Sequence, residues 1–310
     1  MALRTATPEA MGNPLRRDSA PTLLGMNPLT AGPLQDPVDA ASYAEFSRRY
    51  GGANLDPVAV IIAAYNEADN IESVLRSIPS TAAGLPTWAL VVDDGSRDGT
   101  ADIARRAGAY VCSPPTNRGQ GAALRLGYWL ARDRGARFVA TTDADGQYDP
   151  AELDLIVQPL VDDTADFVTG SRRLGTYTTD DVVRHTGVHV FARLLSLIAK
   201  RRVTDTSNGF RAFRVEVLDH LTLEQAQYQA TELLIGVIYR GFRVLEVGTS
   251  MHQRTGGRSK KGNNLVYGSR FARVILKTWW REVRRNRREG RRLSDPSPIA
   301  RRSPSVADLG

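Results

Sequence analysis

The sequence predicts an α/β domain built on a mostly parallel central sheet with helices on both faces. Two observations carry that expectation. Short, unbroken apolar runs such as Val58-Ala59-Val60-Ile61-Ile62 and Trp88-Ala89-Leu90-Val91-Val92 alternate with segments of helical periodicity, and strands buried on both faces read as continuous apolar stretches. Three such runs also lead into carboxylates, at Tyr65-Asn66-Glu67, Asp93-Asp94-Gly95-Ser96 and Asp143-Ala144-Asp145. Ligands of parallel sheets bind beyond the carboxyl ends of the strands, so the three clusters mark one candidate site.

Taken in order, residues 1–36 are rich in Pro, Ala, Gly and Thr without periodicity and are expected to be a disordered extension. Residues 37–55 form a short helical lead-in, with Tyr43, Phe46 and Tyr50 on one side. The main domain spans 56–262. Its first strand is followed by a helix from Ala68 to Ile78 whose inner face is Ile71, Val74, Leu75 and Ile78. The strand at Trp88, a helix beginning near Thr100, a strand from Tyr110 to Cys112 and a helix from Gln120 to Arg132 continue the alternation. The strand into Asp143, a helix after Pro150 and a strand from Asp166 to Thr169 follow. Beyond them come a helix from Val182 to Lys200, a strand near Val244 to Val247, an amphipathic basic helix over 263–290 and a disordered tail over 291–310.

Composition limits the possibilities. No apolar run approaches the length of a membrane span, and Met1 to Gly25 lacks the apolar core of a signal peptide, which points to the cytoplasm. The single cysteine, Cys112, excludes an internal disulfide and lies in an apolar run as a small buried hydrophobe. Formal charge is +7, and between Lys277 and Arg302 ten basic residues stand against three acidic ones, so the excess belongs to the C-terminal segment.

The chemistry centres on Asp143-Ala144-Asp145-Gly146-Gln147. If the strand continues through it, residues two apart share a face and Asp143, Asp145 and Gln147 form one row. Two carboxylates and an amide oxygen suit Mg²⁺ or Mn²⁺, hard cations usually held by few protein ligands plus substrate phosphates. A lone Asp-x-Asp is ordinarily a polar turn, and it is the other two clusters that give this one weight. An EF-hand is excluded because its sixth and twelfth positions would be Tyr148 and Asp154. The dinucleotide fingerprint fails at Leu124, where a third glycine is required, and no P-loop occurs. His185 and His189 stand four apart but lack an evident third ligand, which favours a structural or acceptor-side role.

Six ordered motifs carry a resemblance: Ala63-Ala64-Tyr65-Asn66-Glu67, the run Val91 to Thr100, Asn117-Arg118-Gly119, Asp143 to Gln147, Gly170-Ser171-Arg172, and Asp205 to Arg211. Between Val58 and Lys261 the chain resembles family-2 inverting glycosyltransferases, and within them the dolichol- or polyprenyl-phosphate mannose synthase branch. The resemblance implies a glycosyltransferase A fold, a nucleotide-sugar donor of the GDP-mannose or UDP-glucose type, and Mg²⁺ or Mn²⁺. It further implies that Tyr65 and Glu67 border the nucleoside, that Asp93 and Asp94 bind the donor, and that Asp143, Asp145 and Gln147 hold the metal. Asp205, Arg211 and Glu232 fall in the region resembling the acceptor site, and Arg172 follows its glycine and serine as a phosphate-binding candidate. Tyr148 departs from the branch, which commonly has histidine there, and many relatives carry C-terminal spans.

The basic, glycine-rich stretch Arg254 to Lys261 is expected to act as a lid, with Arg254, Arg258 and Lys260 closing on phosphates. A lipid-phosphate acceptor, with a second pKa of about 6, needs no strong base. A sugar hydroxyl does need one, and Asp205 is the candidate. Phe271, Ala272, Ile275, Leu276, Trp279 and Val283 share one face of the basic helix, the make-up of an interfacial helix on an anionic membrane surface, with packing of the first two turns against the domain as the alternative. That predicts peripheral attachment to the inner face of the membrane, with nucleic acid as the competing use of the arginines. A nucleotidyltransferase would show a Gly-rich basic loop after the first strand, and a non-catalytic binding protein would have no use for Asp143, Asp145 and Gln147 together.

Overall fold

The computed structural model describes residues 36–176, 182–252, 264–297 and 299, apart from the side chains of 182–189 and 264–267. The lid residues Arg254, Arg258 and Lys260, the side chains of His185 and His189, and most of both terminal extensions lie outside that set.

At the centre is β1 (Val58–Ala64), flanked in parallel by β3 (Leu85–Asp93) and β5 (Phe138–Asp143). Their register pairs Ala64 with Asp93 and Ala63 with Asp143. All three strands therefore end level, and the three acidic clusters emerge along one edge of the sheet. Outside β3 lie β4 (Tyr110–Cys112), parallel to it, and the short antiparallel β2 (Thr81–Ala82). On the other side β7 (Arg211–Arg214) runs antiparallel between β5 and β6 (Phe167–Ser171), and β8 (Val244–Gly248) closes the sheet parallel to β6.

Pleating divides the core into two layers. Ala59 and Ile61 of β1 face one layer, packed by α1 (Pro37–Arg49), α4 (Gln120–Asp133), α7 (Gln229–Tyr239) and α8 (Asn264–Arg288). Val58, Val60 and Ile62 face the other, packed by α2 (Ile71–Ser77), α3 (Thr100–Arg106) and α5 (Leu153–Val161). The expected helices on both faces are thus present. Cys112 is buried beside α1, its Sγ 3.7 Å from Ser42 O, and burial pushes the thiol up to about 12. α6 (Val182–Ala199) joins the α7 and α8 side, and no helix among the described residues is long and apolar enough to cross a membrane.

α8 corrects one expectation. The apolar stripe foreseen as membrane-facing packs on the domain: Phe271 and Ile275 are buried, Trp279 and Val283 lie against the same core, and Leu276 turns outward at 48% exposure. Nor are all the arginines of the helix solvated. Arg281 pairs with Glu232 at 2.8 Å, Glu282 at 3.1 Å and Glu224 at 3.2 Å, while Arg240 of the neighbouring turn pairs with Glu282 and Glu289. An amphipathic helix has the same pattern whether its apolar side meets a bilayer or a protein core.

Candidate active site

The floor of the site is made by three loops stitched together by side chains. After β1, Asn66 adopts φ +51°, its N–H donates to Ser96 Oγ at 2.8 Å, and its Oδ1 accepts from Arg97 N at 2.9 Å. Glu67 N donates to Thr100 Oγ1, and Glu67 Oε2 accepts from Asn70 Nδ2, both at 2.9 Å. Gly95, at φ +77°, lets the second loop approach the third so closely that a Cβ would stand 2.7 Å from the backbone at Thr116 and Asn117. Tyr65 and Glu67 border this shelf, half-buried.

Asp93 and Asp94 divide into different tasks. Asp93 is 4% exposed at the end of β3, accepts from Ser96 N at 3.3 Å, and is raised in pKa because burial disfavours its charge. Asp94, expected to touch the donor, instead accepts from Arg118 N at 3.0 Å and Gly119 N at 2.7 Å. It holds the Asn117-Arg118-Gly119 loop in place, while the Arg118 guanidinium is held by Asp36 and Asp39 of α1. Polar side chains that brace the loops of a site and those that would face its ligand look alike in sequence.

β5 ends at Asp143, and residues 144–147 form a turn with Gly146 at φ +71°. The expected continuation of the strand row is therefore replaced by a turn, which leaves Asp143 and Asp145 both half-exposed around the buried Ala144. Gln120 Nε2 donates to Asp143 Oδ1 at 3.0 Å from the start of α4, and Gln147 N donates to Asp145 Oδ1 at 3.2 Å. Gln147 is bound to the His252 backbone through both its carbonyl and its side-chain amide: His252 N donates to Gln147 O at 2.7 Å and Gln147 Nε2 to His252 O at 3.4 Å. No three His, Cys, Asp or Glu side chains converge among the described residues. Two accessible carboxylates at a strand end still fit a hard cation that completes its shell with substrate phosphates and water.

Tyr148, the departure from the branch pattern, is 4% exposed, stacks on Phe210 and accepts from Gly209 N at 2.8 Å. That bond and Thr141 Oγ1 donating to Gly209 O at 2.6 Å press the Gly209 peptide against the metal-binding candidate. A Cβ on Gly209 would lie 2.9 Å from Asp143 Oδ1. Gly209 lies within the Asp205 to Arg211 motif, whereas Gln120 and His252 are not singled out by the sequence, since a glutamine after a glycine and a histidine before the basic stretch carry no motif of their own.

The acceptor side differs most from expectation. Arg172 Nε and Nη2 grip the two oxygens of Asp205 at 2.6 and 2.7 Å, and Nη2 also donates to Ser207 Oγ at 2.7 Å. Asp205 is 1% exposed. Burial alone would raise its pKa, but the Arg172 charge and hydrogen bonds hold the carboxyl below its ordinary range. A buried, ion-paired carboxylate of depressed pKa is a poor general base, which corrects the role foreseen for Asp205. Arg211 is 3% exposed, burial pushes its pKa down, and its Nη1 donates to Ala230 O at 2.8 Å, so it lies beneath the site and not at its surface. Glu232, fully buried, accepts from Glu224 N, Gln225 N and Arg281.

Comparison with known proteins identifies the family. The profile of glycosyl transferase family 2 matches residues 59–222. A dolichyl-phosphate hexose transferase of Haloferax volcanii is 35% identical over 72% of this chain and 93% of its own length. A polyprenol monophosphomannose synthase of Mycolicibacterium smegmatis is 30% identical over 70% and 89%. Among solved structures, glucosyl-3-phosphoglycerate synthase of Mycobacterium tuberculosis, in complex with Mn²⁺, UDP-glucose and phosphoglyceric acid, superposes with a TM-score of 0.57 at 23% identity over 76% and 83%. With a family profile covering more than half of its length and relatives matched almost end to end, this chain belongs to glycosyl transferase family 2 and is a glycosyltransferase.

Proposed function

We propose that this enzyme transfers a hexose from a nucleotide sugar, of the GDP-mannose or UDP-glucose type, to a polyprenyl phosphate, with inversion at the anomeric carbon. The observation that carries the reading is the state of the two acceptor-side carboxylates. Asp205 is bound by Arg172 and Glu232 by Arg281, both inside the protein. A hydroxyl acceptor needs a base within hydrogen-bond reach, whereas a phosphate monoester arrives already charged, its second pKa being about 6. The names of the two lipid-phosphate relatives agree with that choice.

In this reading Tyr65, Glu67 and Asp93 bind the nucleoside, Asp93 accepting from N–H or O–H donors of the base or ribose. Asp143 and Asp145, with Gln147 beside them, would hold Mg²⁺ or Mn²⁺ on the diphosphate. A divalent cation there supplies neutralising charge for the departing nucleoside diphosphate. A phosphate oxygen of the acceptor attacks the anomeric carbon in line as the bond to the diphosphate breaks, through an oxocarbenium-like transition state. Arg172, fixed in orientation by Asp205 and Ser207, and the lid residues Arg254, Arg258 and Lys260 supply the positive charge that orients the acceptor. Arg211 contributes from below as a buried cation near Asp143. The enzyme works peripherally, at the inner face of the membrane, where such an acceptor presents its phosphate.

Incubation with Mn²⁺, a panel of nucleotide sugars and a short-chain polyprenyl phosphate should yield one glycolipid, identified by mass spectrometry. Transfer confined to sugar or other hydroxyl acceptors overturns the reading.

A further inference from the structure

With the apolar side of α8 packed on the domain, what remains outward is a different surface. Along α8 the exposed residues recur at helical spacing: Arg273, Leu276, Lys277, Trp280, Arg284 and Arg287. α6 lies against α8 through the Phe191–Phe271 ring contact, with centroids 4.6 Å apart, and it exposes Val190, Arg193 and Leu197 at the same spacing. Four large apolar side chains thus stand in water on two adjacent helices: Val190 at 55%, Leu197 at 76%, Leu276 at 48% and Trp280 at 52% exposure. Single exposed leucines are ordinary, but a group of large ones rimmed by charge marks an interaction surface.

The charge on this surface has one sign. α6 contains no carboxylate, and the single one of α8, Glu282, is 1% exposed and paired inside the protein. We infer that the outer faces of α6 and α8 together form the surface by which this enzyme rests on an anionic lipid membrane. The inference rests on the lipid-phosphate reading for its purpose, but not for its chemistry. Bilayer binding by a basic surface with apolar and tryptophan side chains combines burial at the headgroup level with attraction to anionic lipid. Arg284 lies over the Trp280 ring, which keeps a cation beside the inserted indole. A second copy of this surface is a poor occupant, since cations would meet cations. A nucleic-acid backbone would use the arginines and leave Leu197 and Val190 without a partner.

Position supports the same occupant. α6 lies in the segment between the end of β6 at Ser171 and the start of β7 at Arg211, and within that segment Arg172 and Asp205 are ion-paired at 2.6 Å. The segment that contains α6 is therefore tied off by this ion pair beside the proposed acceptor site. A membrane lying on the outer face of α6 would rest on the same segment of chain that carries Arg172 and Asp205.

The test uses full-length protein and flotation with vesicles of phosphatidylcholine alone or mixed with phosphatidylglycerol. Binding is expected to the anionic vesicles and to fall with added salt. Arg273→Gln with Lys277→Gln should weaken it about twenty-five-fold, each basic residue being worth about fivefold near an anionic leaflet. Leu197→Ser with Trp280→Ser should abolish stable binding. Both variants should keep the wild-type unfolding temperature and wild-type transfer to a water-soluble short-chain prenyl phosphate, while transfer to vesicle-embedded acceptor falls. Vesicle binding unchanged in both variants overturns the inference, as does wild-type protein that ignores anionic vesicles but binds duplex DNA or dimerises through these residues. Absence of transfer to any lipid phosphate, with vesicle binding behaving as described, overturns the proposed reaction and leaves the docking surface standing.

Discussion

Asp205→Asn separates an anchoring carboxylate from a catalytic one. The substitution keeps the shape of the side chain but removes the charge that balances Arg172, whose side chain is only 10% exposed while that of Asp205 is fully buried. It also weakens the acceptor for Ser207 N, now 3.1 Å away. Removing one partner of a buried pair costs about 3–5 kcal/mol. For a domain of this size that corresponds to a fall in unfolding temperature of roughly 10 °C, at about 2–4 °C per kcal/mol. The pH dependence has a definite sign. Because the folded pKa of Asp205 is depressed, its contribution to stability is present above the unfolded value of about 3.9 and is lost as pH falls through the lower folded value. Wild type and variant should thus differ in stability by a constant amount from pH 7 to pH 5 and converge only in strong acid. The acid limb of kcat/KM should follow the second ionisation of the acceptor phosphate, at about pH 6, in both proteins. Thermal unfolding at several pH values and the rate profile on short-chain prenyl phosphate check both halves. A variant with wild-type unfolding temperature, a thousandfold lower kcat and no acid limb would refute the anchoring role and restore Asp205 as a base.

Asp145→Asn should abolish turnover and Mn²⁺-dependent donor binding at unchanged unfolding temperature, because it removes charge from a half-exposed turn; calorimetric titration of nucleotide sugar with and without Mn²⁺ decides, and equal affinities would remove the assigned site. Tyr148→Phe leaves the Gly209 N–H without its 2.8 Å partner inside the protein, which should cost about 1–3 kcal/mol by chemical denaturation; activity should fall with it, since that peptide lies against Asp143. Truncation after Lys277 should yield a chain that does not fold cooperatively by circular dichroism, because it removes Arg281 from Glu232 and Glu282 from Arg240. A stable truncated domain would show that the α7–α8 ion pairs are dispensable.

The unbroken apolar strands and the carboxylates after them were legible in sequence because both are local. Val58 to Ile62 reads as a buried strand from its residues alone, whereas the level ending of β1, β3 and β5 depends on the register in which they pair. The antiparallel β7 was not legible, since Arg211 and Arg214 interrupt its apolar pattern and their acceptors, Ala230 O and Leu160 O, are distant in the chain. The same limit divided the site. Asp93, Asp94, Asp143 and Asp205 are equally conspicuous as letters, but Asp143 remains half-exposed while Asp94 clamps a loop and Asp205 is bound by Arg172. Whether a carboxylate faces a ligand or a buried cation depends on which distant residue folds against it. The C-terminal helix makes the point most plainly: its 3.6-residue periodicity determined that one side would be apolar, and only the tertiary packing decided that this side meets α7, leaving Leu276, Trp280 and the arginines beside them to face outward.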